Sequence, residues 1–128
     1  MTTMLAPRTF PMAPALAEVF TDSGAIDARA LAQALGKTKL APIARALGVK
    51  EDTLRHNPSS ELAQARAHEL VDALNELYRY IPDWKTCLVW MNRPFPGTNG
   101  KSPMKYVETG KVDVFVQLVR AVGTGEPA

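Results

Sequence analysis

Between Pro58 and Pro82 the chain runs without a proline or a glycine, and nowhere else does it do so for as long. That interval has room for one long helix, Glu61 to about Ile81 with Ser59 or Ser60 as its cap, and every other element must be short. Leu62, Leu70, Leu74, Leu77 and Ile81 recur at a spacing that lines one side of such a helix. Glu61, Gln64, Asp72, Glu76 and Arg79 are then expected in water. Glu69, Asp72 and Glu76 make an acidic ridge that reads as a solvated face before it reads as a catalytic pair. The alanine content suits close helix packing.

The breakers partition the rest. Residues 1–14 carry Pro7, Pro11 and Pro14 and read as an irregular arm, with a short helix at Ala15 to Phe20. Asp27 caps a helix from Ala28 to Leu35 that Gly36 ends. Leu40, Ile43 and Leu47 follow at helical spacing, then a turn at Gly48, a segment Lys50 to His56 anchored by Val49 and Leu54, and a break at Asn57-Pro58. Beyond Pro82, Asp83 caps a helix in which Trp84, Leu88 and Met91 share a face until Pro94. Ser102 then caps a short helix with Pro103 in its first position and Gly110 as its stop. In the final run, Val112 to Val122, the alternation of Val112, Val114, Val116 and Leu118 with Asp113 and Gln117 leaves strand and helix both open. Built as a helix, it has polar side chains only at Asp113, Gln117 and Arg120. Its apolar arc is then about twice the roughly 100° a surface helix needs, so half can serve the core and half wants a partner.

Length and composition bound the answer. At 128 residues, 46% hydrophobic and 22% charged, the chain has room for one core, as one domain or two small lobes. A net charge of +2 falls short of the field of a dedicated nucleic-acid coat. Cys87 is the only cysteine, so no internal disulfide is possible; the prolines near Met1 interrupt any secretory segment, and no run approaches the roughly 18 apolar residues of a membrane span. A soluble protein of a reducing cytoplasm, with no membrane partner, is the expectation.

Catalytic and metal chemistry find little to stand on. His56 and His68 lie far apart with no paired ligand spacing, so no metal is expected. Cys87 shares a helix with Trp84 and Met91 and reads as packing rather than a nucleophile. Gly97-Thr98-Asn99-Gly100-Lys101-Ser102 has the ingredients of a phosphate loop, but the nucleotide motif needs a glycine where Phe95 stands. It reads as a turn plus a helix cap. No catalytic residue and no cofactor are assigned, and an enzyme is the weakest class. Trp90, beside Pro94 and Pro96, is expected to anchor the following loop against the long helix.

The order Trp90, Asn92-Arg93-Pro94, Gly100-Lys101-Ser102-Pro103, a short helix ending in Thr109-Gly110 and a closing helix resembles the toxin-binding domain of the Xre/MbcA/ParS antitoxin family. Leu40 to Arg55, with Ile43-Ala44, Leu47-Gly48-Val49 and Thr53-Leu54 about a tight turn, resembles a helix-turn-helix of the Xre type. The resemblance spans about Leu40 to Val122. It places a helix at Val112 to Val122, in agreement with the helical character of every other element. It implies an all-α protein with an arm at 1–14, a helix-turn-helix-like lobe at 15–58, and a long helix plus small toxin-binding lobe at 59–128.

The implied function is that of an antitoxin of a type II toxin-antitoxin module, often a homodimer, whose partner is a RES-domain toxin that depletes NAD and whose C-terminal region covers the toxin's active site. Carried to this chain, the toxin-binding positions are Lys105, Val114, Leu118, Val122, Gly123, Thr124, Gly125 and Glu126. Operator DNA would meet Lys50, Thr53, Arg55 and His56. Two departures stand out: the loop Phe95-Pro96-Gly97-Thr98 differs from the family's leucine-bearing version, and Glu51 and Asp52 favour the helix dipole while repelling phosphate. An ordinary helical corner is therefore the competing reading of residues 40–55. For the whole chain the alternative is a DNA-binding regulator whose C-terminal lobe serves only to dimerise.

Overall fold

The computed structural model describes residues 12–125. Glu126, one of the expected toxin-binding positions, and most of the N-terminal arm lie outside the described residues. The chain is all-helical: α1 (Pro14–Ala17), α2 (Ala28–Ala34), α3 (Ala41–Leu47), α4 (Glu51–His56), α5 (Glu61–Tyr80), α6 (Trp84–Met91), α7 (Pro103–Glu108) and α8 (Val112–Gly123). None of these helices is long and apolar enough to cross a membrane. α1 is shorter than the expected Ala15 to Phe20, because Phe20 leaves the helix to pair with Ile26 across a tight turn.

The helix starts follow their capping chemistry. Asp27 accepts from the backbone N–H of Arg29, Ser60 from Ala63, Asp83 from Thr86 and Ser102 from Lys105. Each cap satisfies a donor the first turn leaves without a partner, a contribution of about 1 kcal/mol. Between α3 and α4, Gly48 takes the left-handed conformation at φ 70°, which turns the chain tightly enough for the two helices to pack.

α5 is the spine. Leu70, Leu74 and Leu77 are fully buried, as their spacing requires, but Leu62 is 52% exposed. The buried stripe instead begins at Ala63 and Ala67, one residue later, and Val71 completes it. Alanine at these two positions keeps the buried face small near the start of α5, which suits close helix packing. Gln64, expected in water, is only partly exposed. Its amide spans the backbone of Ile26, accepting from the N–H at 2.8 Å and donating to the carbonyl at 3.0 Å.

α8 packs along α5 and beside α7. The strand alternative for residues 112–122 is not what forms, because no strand among the described residues is available to pair with it, while Phe115 and Val119, four apart, drop fully into the core. Val112 and Val116 pack on the core's edge. One contiguous core runs from Ala13 to Val119.

Three long-range contacts tie residues 34–45 to residues 84–110. The Trp84 indole N–H donates to the Ala34 carbonyl at 2.9 Å, joining α6 to the end of α2. Lys37 pairs with Glu108 of α7. Gly110, at φ 80°, passes so near α3 that a Cβ there would lie 3.1 Å from the Arg45 carbonyl oxygen.

Candidate interaction surface

Val114, Leu118 and Val122 fall at i, i+4 and i+8 of α8 and so share one stripe. All three are partly buried, and they lie outside the core cluster on which Val112 and Val116 pack. The stripe is more covered than a free apolar half-helix would be. The large apolar side chains that stand clearly in solvent are instead Leu62 and Val89, at 52% and 44% exposure. Asp113, Gln117 and Arg120 are exposed, as their positions demand.

The remaining expected toxin-binding residues are spread around this stripe. Lys105 is exposed on α7, which packs beside α8, and its own N–H is engaged by the Ser102 cap. Gly123 is the last residue of α8. A Cβ on it would fall 2.3 Å from the Tyr80 ring, so the absence of a side chain lets the end of α8 close on the end of α5. Thr124, whose hydroxyl donates to the Ala121 carbonyl at 3.1 Å, and Gly125 are exposed beyond it.

Trp90 packs against the core and joins the loop to α8. Its ring meets Phe95 edge-on at 5.9 Å and Phe115 at 6.5 Å. The sequence placed the tryptophan beside its prolines; only the fold could supply Phe115. The loop from Gly97 to Ser102 is a turn closed by the Phe95 N–H donating to the Lys101 carbonyl at 2.9 Å, and the Lys101 ammonium lies 5.9 Å from the Tyr106 ring centre.

The four DNA candidates are together on α4 and its start. Lys50, Thr53, Arg55 and His56 are all exposed. Arg55, however, is held by carboxylates of its own helix, Glu51 at 2.6 Å and Asp52 at 3.4 Å. The His56 ring nitrogen bonds the Asp52 carbonyl at 3.0 Å. With Lys50 and Arg55 balanced by Glu51 and Asp52, this helix carries little net field toward phosphate.

Cys87 is fully buried, with its Sγ directed at the Ile81 carbonyl at 3.1 Å. Burial, assisted by the negative charge of Asp83, pushes its pKa up to about 11, so the thiol stays protonated at neutral pH and is a poor nucleophile. His68 lies against Phe20 with its Nδ1 on the Gln64 carbonyl. Among the described residues no group of three His, Cys, Asp or Glu side chains is placed to hold a metal ion.

No protein-family model, curated protein or solved structure gives a significant match to this chain.

Proposed function

We propose that this chain is the antitoxin of a toxin-antitoxin module, that it neutralises a RES-domain, NAD-depleting toxin by binding it and covering its active site, and that it represses its own operon. The observation that carries the reading is the stripe Val114, Leu118 and Val122, apolar, partly exposed and outside the core, along a helix that leads into the exposed Thr124 and Gly125. Together with the motif order from Trp90 to Gly110, this supports a C-terminal surface that a protein partner completes. The helix, glycine turn and helix of α3 and α4 support the repressor role, while the carboxylates around Arg55 limit how strongly it holds DNA.

The test is co-expression with the RES-domain protein, followed by pull-down and measurement of cellular NAD. Leu118→Asp places an unpaired carboxylate in the interface, a cost of several kcal/mol, so on the order of a thousand-fold loss of affinity is expected. Val122→Lys, at the end of α8 where the change perturbs folding least, provides a second variant. If both chains remain helical by circular dichroism and protect cells as wild type does, this stripe is not the toxin site.

A further inference from the structure

The side of α8 away from the apolar stripe forms one wall of a groove whose other wall is α5. Its volume is about 470 Å³, and a smaller recess of about 220 Å³, sharing Glu69, Asp113 and Val116, extends it toward Gly110. The floor is apolar, made by Ala73, Val112 and Val116. Over that floor stand Glu69, Asp72 and Glu76 from α5 and Asp113 from α8, with Arg66 and Arg120 as the cationic side chains. Glu69, Asp72 and Asp113 are exposed and form no ion pair with any described residue. Four of the chain's 13 acidic residues thus line one groove of a protein whose net charge is +2.

A second, independent feature continues the same surface. Leu62, Arg66, Glu69, Ala73 and Glu76 lie at i, i+4, i+7, i+11 and i+14, one stripe along α5. The stripe therefore continues beyond the groove to Leu62, the most exposed large apolar side chain of the described residues, about 10 Å before Glu69 along the helix. An exposed leucine at one end, an apolar floor and four carboxylates against two arginines along the rim are the complement of a helical segment with one apolar face flanked by cationic side chains. Such a segment buries its apolar side on the floor while its cations replace the missing ion pairs. Nucleic acid is repelled by the same carboxylates.

We propose that the α5–α8 groove is a docking site for a lysine- or arginine-bearing amphipathic helical segment of a partner protein. It faces away from Val114, Leu118 and Val122, so it stands or falls independently of the toxin interface.

The experiment uses the full chain and a defined probe, a fluorescein-labelled 14-residue peptide of leucine and lysine arranged as an amphipathic helix, read by anisotropy at low and moderate salt. Wild type should bind it with an affinity that falls as salt rises. The double reversal Glu69→Lys, Asp72→Lys, at two exposed positions, should weaken binding by about ten-fold or more, and Leu62→Ser by several-fold, while Leu118→Ser leaves it unchanged. Absence of wild-type binding overturns the assignment, as does equal binding by the reversed chain or by a leucine-glutamate peptide. Sedimentation of the unlabelled chain tests a second occupant. Self-association abolished by the double reversal would seat a second copy of this chain in the groove and overturn the partner proposed here.

Discussion

Gly110→Ala should destabilise the protein by more than its backbone conformation alone explains. Gly110 ends α7 at φ 80°, and an alanine held there costs about 1 kcal/mol. The added Cβ would also lie 3.1 Å from the Arg45 carbonyl oxygen, a distance at which one of the two must move. That oxygen is not free to give way, because it accepts from the Gly48 N–H at 3.1 Å and so closes the turn between α3 and α4. Disturbing it is worth about another 1 kcal/mol, the net value of a hydrogen bond. The expected loss is about 2 kcal/mol, or a Tm lowered by roughly 6 to 10 °C for a domain of this size. Gly36→Ala is the control: its φ is 77°, but nothing lies within 4 Å of the added Cβ, so only about 1 kcal/mol should be lost. Thermal and urea melts of the two variants measure the difference. Equal losses would show that the α7–α8 corner does not bear on α3, and the docking of the C-terminal helices on α3 would have to be given up.

Cys87 should resist alkylation at pH 8 to 9 in the folded chain and react fully once urea unfolds it, since its thiol ionises only near pH 11. By the same linkage the unfolded thiol, with its ordinary pKa of 9.0, releases its proton first; between pH 9 and 11 the folded state binds more protons, and stability should decline across that window in alkaline melts. On α4, Lys50→Ala should lower operator affinity and reduce the salt dependence by about one phosphate contact, whereas Glu51→Gln, by releasing Arg55, should raise affinity; gel shifts at two salt concentrations would refute the repressor role if neither variant differs from wild type.

Local chemistry determined where several of the helices begin and where two of them end. Asp27, Ser60, Asp83 and Ser102 are caps because their side chains reach backbone donors two or three residues ahead, and Gly48 and Gly110 are turns because a left-handed residue is cheap only for glycine. These contacts span a few residues, so sequence order specifies them. The final segment shows where local pattern stops. Its valines suit a strand as well as a helix, and the choice falls to α5, whose long face receives Phe115 and Val119. Tertiary structure likewise moved the buried stripe of α5 from Leu62 to Ala63, because which side of a helix is buried depends on where its neighbours pack. The partners of Trp90, the seat of Gly123 on Tyr80 and the pairing of Lys37 with Glu108 depend on residues dozens of positions apart. The groove between α5 and α8 is of the same kind. Glu69, Asp72 and Glu76 show in the sequence as a solvated ridge, and only the packing of α8 alongside adds Asp113 and Val116 to give that ridge an apolar floor and a second wall.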